Sequence, residues 1–288
     1  MDQLPATFCE NVTATLICCD EPFISCSCDS LGFVDPKWRF TRKQFIFFHL
    51  GTVNGVWKFT FQTPDRKTLS LESIKASATF KDTRIHWVNI NEGTNALKLG
   101  QNLDFEIENL LKIISFLCNE PTLTFGRSWA PESAERRAIM DWCSERRFSS
   151  INFGQYHSFY NRLLGTQLST SKATPINVND VESGGDYVAE QLKSGNLRKF
   201  ELYTGYQLSS DVMNGIIASF LDSSDYVIDI KASFEPSTAD LLEAKAKEGA
   251  CQLDAQEQPV YIFRNGRKCL RIIEFSKHWL VKTKELIH

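Results

Sequence analysis

Phe148-Ser149-Ser150-Ile151-Asn152-Phe153 and Leu197-Arg198-Lys199-Phe200-Glu201-Leu202 follow one template, an apolar residue, two polar ones, then two apolar residues separated by one polar residue. In an extended chain alternate side chains point to opposite faces, so the last two apolar residues of each unit share a face. The first sits ahead of the strand, where it can tuck under the turn leading in. Such a unit cannot bury its apolar face alone. Stacking against further units, each followed by a covering helix, buries it.

The same template recurs along the chain. Ile85-x-x-Val88-x-Ile90 is an earlier copy, Leu123-x-Phe125 a shorter one, Ile176 and Val178 a looser one, and Ile228-x-Ile230 the last. Helical patterns are expected at 105–117, 133–143, 186–193, 209–221 and 237–247, between or after these strands. The strand centres recur at roughly 23 to 37 residues, mostly near the leucine-rich-repeat period. The fold class expected is therefore α/β, an irregular leucine-rich-repeat-like array of strand–helix units over residues 83–288.

The flanks differ in texture. Residues 41–82 read as an aromatic β-hairpin: Phe45, Phe47 and His49 share one face, Gly51 to Gly55 turns the chain, and Trp57, Phe59 and Phe61 alternate on the return. At the other end, Val260 to Phe263 and Leu270 to Ile273 flank Asn265-Gly266, a hairpin signal that could close the edge of the repeat sheet. Trp279, Leu280 and Val281 suggest a short packed tail. Residues 1–40 read as short helices, with Leu4, Phe8, Val12 and Leu16 recurring every four residues and Pro5 suited to a first helical turn. This stripe is either a docking face or an inward-packing face.

Composition limits the function classes. The 288 residues are 42% hydrophobic and 23% charged, an ordinary globular balance. A net charge of −3 gives no general pull toward nucleic acid or anionic membrane. The pairs Arg136-Arg137 and Arg146-Arg147 stand beside Glu135 and Glu145 and read as a solvated, internally paired helical face. No apolar run is long enough to span a membrane. The first 36 residues hold six acids and no Lys or Arg, unlike a secretory leader, so an intracellular setting, cytoplasm or nucleus, is expected. The nine cysteines are then expected to be reduced thiols.

In order along the chain, the opening Met1-Asp2-x-Leu4-Pro5-x-x-Phe8-x-x-x-Val12-x-x-x-Leu16, a Trp at 38, the aromatic hairpin and the Leu-x-x-φ-x-Leu units resemble a large nematode family of F-box-like proteins. The resemblance covers nearly the whole chain. It implies an N-terminal box that docks on the Skp-type adaptor of a cullin–RING ubiquitin ligase, followed by a C-terminal region that selects the substrate. Carried over by position, the adaptor-binding residues would be Leu4, Pro5, Phe8, Val12, Leu16 and Trp38. The chain departs from an ordinary box in its middle, Ser25-Cys26-Ser27-Cys28-Asp29-Ser30, and in Asp35-Pro36 just ahead of Trp38.

Chemical motifs are sparse. Cys18-Cys19 and Cys26-x-Cys28 are too tightly spaced for the usual zinc pairs, and neither a dinucleotide nor a P-loop glycine motif occurs. Gly184-Gly185 reads as a helix-entry turn, and no His stands in a catalytic signature. No cofactor and no enzymatic role are expected. In a repeat array the exposed strand face is the recognition surface. The residues between the apolar ones, Trp87, Asn89, Thr124, Asn152, Lys199, Glu201, Tyr203 and Asp229, are the candidate substrate-binding set. The two readings are a substrate-receptor subunit and a stand-alone repeat-type binding protein.

Overall fold

A computed structural model describes residues 44–76, 83–203, 206–223, 226–255, 258–275 and 278–285. In chain order the elements are β1 (Gln44–Val53), β2 (Val56–Gln62), β3 (Thr68–Leu69), α1 (Leu71–Ala76), β4 (Thr83–Ile90), α2 (Asn95–Lys98), β5 (Gln101–Asn102), α3 (Ile107–Leu117), β6 (Cys118–Phe125), α4 (Ala134–Ser144), β7 (Ser150–Phe153), a 3₁₀ turn (Ser158–Tyr160), α5 (Asn161–Thr170), β8 (Ile176–Val178), α6 (Gly185–Lys193), β9 (Lys199–Leu202), β10 (Gln207–Leu208), α7 (Ser210–Asp222), β11 (Asp229–Phe234), α8 (Ser237–Lys247), β12 (Gln252–Ala255), β13 (Pro259–Asn265), β14 (Lys268–Phe275) and β15 (His278–Glu285). The main path of one sheet runs β12-β13-β14-β15-β11-β9-β8-β7-β6-β4-β1-β2-β3.

Its centre is parallel. β1, β4, β6, β7, β8, β9 and β11 pair in sequence order, each parallel to the last. Both flanks are antiparallel, β2 and β3 on one side and β15 to β12 on the other. Because each strand lies beside its predecessor, right-handed crossovers place the longer helices, α3 to α8, on one face. There α3 packs on α4, α4 on α5, α6 on α7 and α7 on α8. The short α2 packs instead on β1 and β2, with Leu97 against Gly51.

One apolar row crosses the sheet under that helical layer. The strand register aligns Tyr261, Ile272, Val281, Ile230, Phe200, Ile176, Ile151, Leu123, Val88, Phe48 and Phe61 as successive partners. Each is at most 3% exposed. The leading apolar residues Phe148 and Leu197 are buried ahead of β7 and β9, as the template requires. Ile85 reaches the same core differently: the register with β1 shifts between Ile46↔Ile85 and Phe47↔Trp87, so β4 bulges at His86.

The turns follow from backbone chemistry. Asn54 and Gly55 both take positive φ, 52° and 77°, as a two-residue type I′ hairpin needs. The turn is tighter than the 51–55 expectation, since Gly51 to Val53 still pair with β2. In the C-terminal hairpin Asn265 pairs with Lys268, so Gly266-Arg267 forms the turn and Gly266 takes φ 60°. The Asn265 side chain donates instead to the carbonyls of Phe220 and Leu221, at 2.7 and 3.0 Å, and caps the end of α7.

Other expectations need correction. The tail at Trp279–Val281 is a strand, and β15, not the Asn265-Gly266 hairpin, pairs with the parallel region. Helix α5 follows the Phe153 unit where none was expected: its sequence, Asn161 to Thr170, is rich in Thr, Ser, Asn and Gly, and packing of Leu163, Leu164 and Leu168 overrides poor propensity. Arg137 and Arg147 are exposed, and Arg137 acts electrostatically on Glu135, but the other arginine of each pair turns elsewhere. Arg136 meets Glu92 from a distant loop, and Arg146 lies 4.9 Å over the Trp142 ring and donates to Ser115. Residues 1–40, with Leu4, Pro5, Phe8, Val12, Leu16 and Trp38, lie outside the described residues.

Adjacent residues on opposite faces should differ sharply in stability cost. Phe200→Ala is expected to lose about 3–5 kcal/mol of unfolding free energy, and Lys199→Ala to change it by less than about 0.5 kcal/mol. Urea denaturation of both variants checks this.

Candidate functional site

The face turned away from the helices carries the alternate side chains, and the register lines them up too. A second row runs His49, Asn89, Thr124, Asn152, Asn177, Glu201, Lys231 and Leu280. One step toward the strand starts, Phe47, Trp87, Thr122 and Ser150 align in the early strands, and Lys199, Asp229, Lys282 and Arg271 in the later ones. All eight residues expected at the recognition surface, Trp87, Asn89, Thr124, Asn152, Lys199, Glu201, Tyr203 and Asp229, sit on or beside these rows.

The early strands form an aromatic and amide surface. The bulge at His86 turns both His86 and Trp87 to this face. Phe45 meets His86 edge-on at 5.6 Å, and Phe47 meets Trp87 edge-on at 6.0 Å. The Trp87 indole N–H donates to the Thr124 hydroxyl at 2.8 Å. Asn152 Nδ2 donates to the same oxygen at 3.1 Å, and Asn177 Nδ2 donates to Asn152 Oδ1 at 2.7 Å. This chain of bonds fixes the side chains across β4, β6, β7 and β8. Trp87 remains 39% exposed. At the row's end, burial pushes the pKa of His49 below the ordinary 6.5, with the Gln62 side chain opposing.

The later strands are charged. Lys282 pairs with Asp229 at 2.9 Å, and Lys231 with Glu201 at 3.5 Å. The Lys231 ammonium also lies 5.5 Å from the centre of the Tyr203 ring, and the Tyr203 hydroxyl donates to Glu201. That hydrogen bond to a carboxylate holds the Tyr203 phenol up at about 12.

Sequence reasoning missed Asn177, Lys231, Phe45, Phe47 and the basic residues of β13 to β15 on this face. Asn177 lay between Ile176 and Val178, so the alternation could have found it. Lys231 was missed because the last unit was read only to Ile230, whereas β11 runs to Phe234.

Two small clefts, of about 180 and 240 Å³, lie at the starts of β6 and β7. The smaller is lined by Glu120, Arg147, Ser149, Gln167 and Thr174, among others. Both fall below the roughly 300–1,000 Å³ of ordinary ligand pockets. Two of the described thiols are held protonated: burial pushes Cys118 up to about 12 and Cys143 well above the usual range. Among the described residues no group of three His, Cys, Asp or Glu could hold a metal ion, and no helix is long and apolar enough to cross a membrane. Comparison with protein-family models, curated proteins and solved structures finds no match to this chain.

The lowered pKa of His49 carries a stability consequence. As pH falls through 6.5 the unfolded chain takes up the proton while the folded chain resists it, so the stability present above 6.5 is lost below it. Unfolding free energy is expected to fall between about pH 7.5 and about pH 5.5, and His49→Gln to flatten that slope. Urea titrations across this range measure it.

Proposed function

We propose that this chain is an intracellular protein-binding module, a substrate-recognition subunit of a cullin–RING ubiquitin ligase, and that the helix-free face of its sheet holds the target. The observation that carries the binding reading is the pair of in-register side-chain rows on that face. Trp87, Thr124, Asn152 and Asn177 are fixed by mutual hydrogen bonds while Trp87 stays exposed. A rigid, half-exposed aromatic residue set among polar groups loses little entropy on binding, the usual character of an interface anchor. The broad face and the small clefts suit a protein partner better than a small substrate, so binding rather than catalysis is the role we assign.

The consecutive parallel strands, each followed by a helix, support an irregular array of the leucine-rich-repeat kind, whose exposed strand face is the recognition surface. The ligase link rests on the resemblance of residues 1–40 to an F-box-like region, with Leu4, Pro5, Phe8, Val12, Leu16 and Trp38 as the adaptor contacts.

Calorimetry of the full chain with purified Skp-type adaptor tests that link. A Kd in the micromolar range or tighter is expected, weakened at least roughly 30-fold by Leu4→Ala with Phe8→Ala, as for true anchors. Absence of binding at micromolar concentration would leave a stand-alone binding module. For a target recovered with the full chain, Trp87→Ala is expected to cost about 2 kcal/mol of affinity, measured at a temperature where the variant, which loses its contacts to Phe47 and Thr124, is still fully folded.

A further inference from the structure

The helix-free face is electrically lopsided. Over β9 to β13 it presents Lys199, Lys231, Arg264, Arg271, Lys282 and Lys284, placed there by the partner positions Lys199↔Asp229↔Lys282↔Arg271 and Arg264↔Cys269↔Lys284. Over the same strands its carboxylates are Glu201 and Asp229, with Asp254 beyond them on β12. Glu201 is engaged by Lys231 and Asp229 by Lys282. Lys199, Arg264, Arg271 and Lys284 have no carboxylate partner within salt-bridge distance among the described residues, and the Arg271 Nε is buried without a hydrogen-bond partner. This excess of positive charge stands on a chain whose net charge is −3.

Apolar side chains lie beside the cations. Ile273 and Leu280, both half-buried, lie in one row with the buried Val260, continuous with Lys231, and the half-buried Ile262 stands next to Arg271. We propose that this part of the face binds an acidic segment of a partner protein, one in which Asp or Glu alternates with apolar residues. The proposal rests on the binding reading given above and names the chemistry of the partner. From β9 to β13 the patch crosses four strand spacings, about 19 Å, the reach of about six residues of extended chain. A short acidic segment feels mainly the local cations. A long polyanion or an anionic membrane feels the negative charge of the whole molecule as well, which weakens its attraction to the patch.

The test is fluorescence anisotropy of the full chain with a labelled peptide of about a dozen residues, alternating Glu or Asp with Leu or Ala, at about 50 mM salt, where surface charges are weakly screened. Its controls are the same peptide with Gln and Asn for the acids, a single-stranded RNA of similar length, and phosphatidylserine vesicles. The acidic peptide is expected to bind most tightly and to weaken with added salt. Lys199→Gln with Arg271→Gln and Lys284→Gln is expected to weaken it roughly tenfold. Lys199→Glu with Lys284→Glu alters only exposed side chains and is expected to act in the same direction should the triple variant not fold. Equal binding of the neutral peptide, no effect of either variant, or tighter binding of RNA or vesicles overturns the proposal. If the acidic peptide fails while Trp87→Ala still weakens a recovered target, only the charge inference falls. If Trp87→Ala has no effect either, the binding reading of the face falls with it.

Discussion

The fold depends on one alignment, an apolar row that crosses the sheet from Tyr261 to Phe61 with no polar interruption. A slip of one residue in any strand would turn its apolar partners outward and its polar ones into the helical layer. That cost, repeated at each strand pair, fixes the register. The helix-free face inherits its order from this constraint. Asn152 reaches Thr124, and Asn177 reaches Asn152, because Ile151, Leu123 and Ile176 are held level on the other side.

The two halves of that face differ for reasons visible in the packing. In the early strands Trp87, Thr124, Asn152 and Asn177 bond to one another, while the His49 ring nitrogens and Asn89 Oδ1 are buried without a hydrogen-bond partner. In the later strands, flanked by an antiparallel meander, Lys, Arg, Glu and Asp stand in the rows. Such charges also suit a sheet near its edge, where bare strands invite pairing with other chains. Edge protection needs charge of either sign, and the surplus of cations is what points to an acidic partner.

Much of this was legible in the sequence. The Leu-x-x-φ-x-Leu units located the parallel strands, and the helices between them were read to within two residues at either end where they were expected. Three features of the fold escaped for reasons that lie outside any local pattern. The bulge at His86 depends on pairing to two neighbours, which no local pattern reveals. Helix α5 forms from residues that favour turns, because Leu163, Leu164 and Leu168 find a core. The segment Trp279–Val281 lies at the start of β15, which pairs with its chain neighbour β14 and with β11, some fifty residues earlier; neither pairing shows in the short apolar run Trp279-Leu280-Val281. The candidate surface was readable wherever the strand limits were right and was lost, as at Lys231, where a strand was read too short.

The central claim is that the helix-free face is open to solvent and available to a partner. Hydroxyl-radical footprinting of the full chain measures this residue by residue. Trp87 and Tyr203, 39% and 43% exposed, are expected to oxidise readily, as is Phe116 on the helical side, while Trp129 and Trp279 stay protected. Protection of Trp87 and Tyr203 as deep as that of Trp129 in the free chain would contradict the account.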